Sequence, residues 1–280
     1  MLTQNLELNE HKQKVAAVYN LASIGYDKPA LQFFSRTAGR LVELARLRNG
    51  NSVLDVGTGT GAAAFAAAAK LVHTGKVLGV DIGTDILEQA QRKLELLNQP
   101  GISFYLSDME HLEFVDESFD AVLSASSLFF LPDMSAGLEE WKRVVKAGGC
   151  VAVSGYGEAA FHPLSDLFEA RIRTYGVQLP AARPFSWQRL TEPEQYLALF
   201  RRAALVNVEV FAEQLGYYLE NETAWWDVVW NSGFRGPVSR LNSEELAQFK
   251  AENLAEIKTL VTSKGLWLDV ASVFAIGHKV

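Results

Sequence analysis

Three observations predict an α/β protein built on a doubly wound, mostly parallel, seven-stranded sheet whose last strand is antiparallel. Short apolar runs alternate with helical segments from Ser52 onward. The runs are apolar throughout, which suits parallel strands covered on both faces. The first run, Val53-Leu54-Asp55-Val56, passes straight into Gly57-Thr58-Gly59-Thr60-Gly61 and then an alanine-rich segment. That is a buried strand, a turn free of side chains and a helix start, where exposed N–H groups attract anions.

The elements follow in order. Residues 1–50 read as a helical cover: Val15, Val18, Tyr19 and Leu21 form an apolar face, and Gly25 to Pro29 breaks it. Ser35 is expected to cap a second helix, which Asn49-Gly50 ends. Strands are expected at 52–56, 76–81, 102–106, 120–124 and 150–154, with helices at 60–71 and 84–97 and around Leu138 to Val145. Thr84 is the expected cap of the second of these helices and Gly148-Gly149 the C-terminal cap of the third. Beyond Tyr156 the pattern loosens. Helices are expected at 162–175 and from Pro193, then a strand at 207–215 with an antiparallel partner at 267–277. Between those strands lies a helical insertion of about 222–261, capped at Asn242 and carrying Trp225, Trp226 and Trp230. The expected division is a cover at 1–50, a ligand-binding core at 51–157 and sheet completion with a helical lid at 158–280, all in one domain.

Ligands of such sheets bind beyond the carboxyl ends of the strands. Glycine spacing alone leaves the ligand open, because Gly57, Gly59 and Ala62 also fit a dinucleotide fingerprint. The acids discriminate. Asp55, expected to face the cleft, suits a cationic amine better than a pyrophosphate. Asp81 closes the second strand, 20 residues after Gly61. An acid there holds a ribose diol. Asp108 is placed to reach an adenine amine, with Met109 and Ile82 as apolar walls.

Composition excludes several classes. A net charge of −7 leaves no cationic excess for a general nucleic-acid surface. Cys150 is the sole cysteine and reads as a buried structural thiol in a reducing compartment. No run reaches the length of a membrane span and no metal-ligand spacing occurs, so a metal-free cytoplasmic protein is expected.

VLDVGTGTG at 53–61, VLGVDIGTDILEQA at 77–90, SDMEHLEFVDESFDAVLS at 107–124 and EEWKRVVKAGG at 139–149 stand in order. Together they resemble class I S-adenosylmethionine-dependent methyltransferases of Rossmann-like fold. The nearest branch in pattern is the methyltransferase type 11-like one, with ubiquinone/menaquinone-type and natural-product enzymes. The resemblance implies S-adenosyl-L-methionine as cofactor. It implies Asp55 near the methionine amine, the Gly57, Thr58, Gly59 and Gly61 backbone around the methionine portion, and Asp81 at the ribose. Asp108 and Met109 would flank adenine, Ser124 and Ala125 would underlie the methionine end, and Tyr26 would cover the cofactor. Lys28-Pro29-Ala30 and Ser154-Gly155-Tyr156 depart from the quinone-type pattern, so the resemblance carries fold and cofactor rather than a quinone acceptor.

The expected acceptor is a small, aromatic or partly apolar metabolite methylated on oxygen, nitrogen or carbon. Phe33, Phe129, Phe130, Tyr156 and Trp226 are the candidate pocket residues. His162, just past the fifth strand, and Tyr26 are the candidate bases; His11 and His278 lie near the termini, His111 in a linker and His73 at the far end of the sheet. A monomer or homodimer is expected. The competing readings are an NAD(P)-dependent oxidoreductase on a similar sheet, which Asp55 and the lack of a Tyr-x-x-x-Lys pair disfavour, and a non-catalytic cofactor-binding module.

Overall fold

The computed structural model describes residues 10–72, 74–179 and 186–280. The first nine residues of the expected cover, and His73, lie outside them. Two helices lead: α1 (Glu10–Ala22) and α2 (Phe33–Leu44). The alternating core follows as β1 (Ser52–Val56), α3 (Ala62–Lys70), β2 (Lys76–Asp81), α4 (Thr84–Leu97), β3 (Ile102–Leu106), β4 (Phe119–Ala125), α5 (Met134–Val144) and β5 (Val145–Tyr156). Then come α6 (Leu164–Thr174), α7 (Pro193–Arg202), β6 (Val206–Gln214) and β7 (Tyr217–Leu219). The helices α8 (Glu222–Trp230), α9 (Arg235–Val238) and α10 (Ser243–Lys258) precede β8 (Leu266–Leu268) and β9 (Ala271–His278).

Among the described residues the main sheet has seven strands in the order β3-β2-β1-β4-β5-β9-β6. β9 runs antiparallel to both β5 and β6, and the other pairings are parallel. The expected sheet is therefore the observed one. The order reverses between β1 and β4, which opens a crevice above their carboxyl ends.

Side chains alternate between two cores, as the two-residue period of a strand requires. Leu54, Val56, Val122, Val151 and Val153 face α5, α6 and α7. Val53, Ala121, Leu123, Cys150 and Ala152 face α2 and α3. Both faces are covered, so the strands read as unbroken apolar runs. Cys150 is 5% exposed, and burial pushes its thiol up to about 11, consistent with the structural reading. Among the described residues no helix is long and apolar enough to cross a membrane.

Four expectations need correction. Ser35 lies inside α2 and donates back to the Gln32 carbonyl at 2.9 Å, because the helix starts two residues earlier at Phe33. Thr84 is the first helical residue of α4; the capping oxygen is Asn20 Oδ1 on α1, which accepts from the Asp85 and Ile86 N–H groups at 3.1 and 3.3 Å. A cap donated from a distant helix leaves no local signature. Gly148 and Gly149 lie within β5, where four residues loop out between the Phe119–Val145 and Ala121–Cys150 pairings. Finally, Trp267 belongs to β8, which pairs with β7 in a separate ribbon, and β9 begins only at Ala271.

The insertion joins the core on the α5, α6 and α7 side of the sheet. Trp225 is fully buried and donates to Asn253 Oδ1 at 3.0 Å, while Phe249 packs edge-on against Phe168 of α6. The expected cap of α10 is present: Asn242 Oδ1 accepts from the Glu244 and Glu245 N–H groups, and Glu245 accepts from the Asn242 N–H, all at 3.0 Å. Asn242→Ala is expected to cost about 1 kcal/mol. By calorimetry that is a drop of roughly 2–4 °C in Tm for a chain of this size.

Candidate active site

The loop between β1 and α3 is built from three left-handed glycines, with φ of +64° at Gly57, +56° at Gly59 and +84° at Gly61. Only glycine adopts such angles freely. Their surroundings differ. A Cβ on Gly57 would meet Ser127 at 2.6 Å, and one on Gly61 would meet Phe104 and Phe65 at 2.8 and 2.9 Å. A Cβ on Gly59 would meet nothing closer than Ile86 at 3.7 Å, so its backbone is open to the space above the sheet. The two threonines clamp the loop on either side. Thr58 donates to Asp55 Oδ2 at 2.6 Å and Thr60 to Asp27 Oδ1 at 2.9 Å.

Asp81, at the end of β2, accepts from the Gly59 N–H on one oxygen and from the Gly83 N–H on the other, both at 2.8 Å. With the Ile82 N–H as a third partner, the carboxylate still has acceptor capacity for a ligand. Desolvation raises the Asp81 pKa, against the lowering effect of its backbone N–H partners. Asp55 is placed differently from expectation. It is 1% exposed and shares the α3-side face of β1 with Val53, one residue out of phase with Leu54 and Val56. Its Oδ2 accepts from Thr58 and from the Ala64 N–H at 3.0 Å. Burial lifts its pKa from 3.8 to about 7, with the Asp81 charge adding to the rise and the hydrogen bonds from Thr58 and Ala64 opposing it. Asp55 therefore braces the loop from beneath. Asp108 accepts from Lys12 of α1 at 2.5 Å and from the Glu110 N–H at 3.0 Å, and Lys12 also pairs with Glu110. Burial works to lower the Lys12 pKa, but the two carboxylates outweigh it and the pKa is raised.

These groups border a cavity of about 320 Å³ above the carboxyl ends of the strands. Of the residues singled out from sequence, Tyr26, Gly57, Gly59, Asp81, Ile82, Asp108, Met109 and Ala125 line it. Phe33, Phe129, Phe130 and Tyr156 line it as well. Asp55, Thr58, Gly61 and Ser124 are not on the wall. Ser124 is buried and shares a 2.7 Å hydrogen bond with Ser127, which in turn donates to the Val56 carbonyl. Trp226 is likewise off the wall: it is 8% exposed and stacks on Trp230 at 5.9 Å.

Of the two base candidates, His162 is 43% exposed and off the wall, its Nδ1 2.6 Å from Asp166 one helical turn on. Tyr26 does line the cavity, stacked on Phe34 with ring centroids 4.1 Å apart. Burial, reinforced by nearby tyrosines and acids, drives its pKa well above 10, so the phenol stays protonated and is a poor base. Among the described residues the histidine on the wall is His11, set aside in the sequence for its place near the terminus. Burial pushes its imidazole below the usual value, against a hydrogen bond with the Phe130 backbone. Phe161, Phe168, Trp187 and Phe234 also line the cavity and were missed, because they come from four separate segments with no shared motif. Ser126 and Phe161 carried one signal visible only in coordinates: both hold positive φ, +57° and +67°, rare for such residues.

A family model described as a methyltransferase domain matches residues 47–198. The chain is 32% identical over 198 residues to aklanonic acid methyltransferase DauC of Streptomyces sp. strain C5, covering 69% of this chain and 84% of that protein. It is also 32% identical over 164 residues to the ubiquinone/menaquinone biosynthesis C-methyltransferase UbiE of Haemophilus ducreyi, covering 57% and 63%. Among solved structures, phosphoethanolamine N-methyltransferase 2 of Haemonchus contortus in complex with S-adenosyl-L-methionine superposes with a TM-score of 0.59. The identity is 16%, and the match covers 98% of this chain and 60% of that one. That last likeness is one of fold.

Two outcomes follow from the loop geometry. Gly61→Ala is expected to lower Tm, since its Cβ collides with two rings. Gly59→Ala, whose Cβ enters open space at a strained φ, should lose ligand affinity at a smaller cost in Tm; the two effects are separated by calorimetry and titration. Asp55 gives a pH signature. Its raised pKa favours the folded state fully below the ordinary carboxylate value, and that advantage is lost as pH rises through about 7. Asp55→Asn keeps an acceptor oxygen and does not titrate. The Tm of the wild type minus that of the variant should therefore fall between pH 4 and pH 7; a constant or rising difference contradicts the assignment.

Proposed function

The chain belongs to the S-adenosylmethionine-dependent methyltransferases of small molecules, and we propose that the cavity above its glycine loop holds cofactor and acceptor side by side. The observation that carries this reading is the Asp81–Gly59 pairing at the mouth of the crevice: a carboxylate with remaining acceptor capacity beside a backbone with no side chain in the way. An adenosyl group bearing a cationic amino acid fits these residues. Asp81 is the candidate for the ribose hydroxyls. Asp108, Ile82 and Met109 are candidates for adenine, and the Gly57–Gly61 backbone and Ala125 for the methionine portion. Tyr26 is held over the loop by its neighbour Asp27, which takes the Thr60 hydroxyl and the Lys93 ammonium. Asp55, Thr58, Gly61 and Ser124 act in this proposal by shaping the loop. The Asp55 charge, poised near neutral pH, favours a cation above it.

S-adenosylmethionine supplies a methyl group activated by a sulfonium. The protein's task is to align an acceptor lone pair behind that carbon and to exclude water. Phe33, Phe129, Phe130 and Tyr156 suit a flat, partly apolar metabolite. His11, held neutral by burial, is the imidazole placed to receive a proton where the acceptor has one to lose. The proposal includes helices α8 to α10 as a lid, with Trp225 and Trp226 as its anchors rather than as substrate contacts. It also includes a cytoplasmic monomer or homodimer acting on small molecules rather than nucleic acid, supported by the buried lone thiol and the net charge. Family membership disfavours the oxidoreductase and non-catalytic alternatives.

Asp81→Ala is expected to weaken adenosylhomocysteine binding roughly ten- to hundredfold in a calorimetric titration, since hydrogen bonds to a charged group are worth about 1.5–3 kcal/mol. A methyl-acceptor screen with labelled cofactor should lose its signal in parallel. Full affinity in this variant would falsify the ribose assignment.

A further inference from the structure

Two neighbouring strand ends bring a pair of hydroxyls to the cavity wall. Tyr156 is the last residue of β5, and Ser126 directly follows the last residue of β4, its N–H donating to the Ser154 carbonyl at 3.1 Å. Both line the cavity, and a hydrogen bond from Ser126 reaches the Tyr156 phenol. Ala125, the candidate for the methionine portion of the cofactor, is the residue before Ser126. Ser126 holds a φ of +57°, a left-handed conformation that residues with a side chain avoid unless their surroundings impose it. Glycine would fit that angle freely but would bring no hydroxyl to Tyr156.

The setting of Tyr156 is apolar. It is 4% exposed, and its ring meets Phe161 at 4.9 Å, Trp187 at 6.0 Å, and Phe129 and Phe33 at 6.2 Å each. Burial raises its pKa well above the ordinary phenol value, and the hydrogen bond from Ser126 opposes only part of the rise. The phenol therefore keeps its proton and acts as a donor. The charges that weigh on it belong to Tyr19, Tyr217 and Tyr196, which burial likewise keeps protonated and neutral. Tyr19 and Tyr26, by contrast, sense the Asp81 carboxylate, which repels a negative oxygen. Where water is excluded, a hydrogen bond from a neutral donor to a charged oxygen gains strength.

We propose that Tyr156 is a specificity residue: its hydroxyl, positioned by Ser126, binds a ring oxygen of the acceptor in ionised form, as a phenolate or an enolate. The inference rests on the methyltransferase reading and deepens it, because it names the group by which the acceptor is recognised. Ser126 adjoins Ala125, so this oxygen lies at the methionine end of the cofactor. Tyr156 keeps its proton throughout; it orients the acceptor and takes no proton from it.

The test uses two flat probes that differ only in the oxygen, 4-nitrophenolate and nitrobenzene, titrated into the adenosylhomocysteine complex in mildly alkaline buffer. The phenolate is expected to bind at least about tenfold more tightly, with its visible absorption band moved to shorter wavelength by the hydrogen bond. Tyr156→Phe keeps the ring and should abolish both the preference and the band shift, while adenosylhomocysteine affinity, unchanged, shows that the variant is folded. Ser126→Ala should weaken the preference and reduce the band shift. Equal affinity for the two probes, tighter binding of nitrobenzene, no phenolate binding at millimolar concentration, or a preference that survives in Tyr156→Phe overturns the proposal; an unaltered band in Ser126→Ala overturns the part given to Ser126. Failure of the wild type to bind adenosylhomocysteine overturns the cofactor reading as well, which distinguishes the two failures.

Discussion

The pair of hydrogen bonds made by the Asp81 carboxylate is the constraint on which the site depends. One oxygen holds the Gly59 N–H and the other the Gly83 N–H, so a single side chain ties the β1–α3 loop to the β2–α4 turn. That tie is needed because three left-handed residues in five have no regular hydrogen-bond pattern to stiffen them. Asp55 and Thr58 brace the loop from below, and Asp27 and Thr60 brace it from the side. A ligand meeting this loop finds backbone groups already oriented, which lowers the ordering cost of binding.

The N-terminal helix completes the same region through polar contacts more than through apolar burial. Among its described residues only Ala16 and Ala22 are buried. Asn20 caps α4, and Lys12 joins Asp108 and Glu110 beyond β3. Both contacts land on segments that border the cavity near the glycine loop. The wall contributed by α6, the turn at Trp187 and the insertion is built differently and is mostly aromatic. One cavity therefore joins a polar, backbone-lined compartment to an apolar one, as expected of a site that brings a charged donor to a flatter, more hydrophobic molecule.

Legibility followed how local each interaction is. The strands at 52–56, 76–81 and 102–106 lie where the apolar runs put them, because burial on both faces leaves an unbroken signature in the chain. The α10 cap was readable because Asn242 and Glu245 are three residues apart. The α4 cap was not, because Asn20 is 65 residues from its partner Asp85. Asp55 and His162 lie off the cavity wall for a related reason. A strand-end acid and a loop histidine fit many sites by type, and only the strand's two-residue alternation and the Asp166 pairing settle where their side chains go.

By itself the sequence determined the sheet, its crevice, the glycine loop and the acids that border it, since each is a short-range pattern dictated by backbone sterics and strand or helix period. The tertiary structure decided which of those acids open onto the cavity and which brace it. It also brought His11, Glu169, Trp187 and Phe234 to one wall from segments more than 200 residues apart at the extremes. No local pattern encodes that meeting, because it results from how the covering helices pack across the end of a finished sheet.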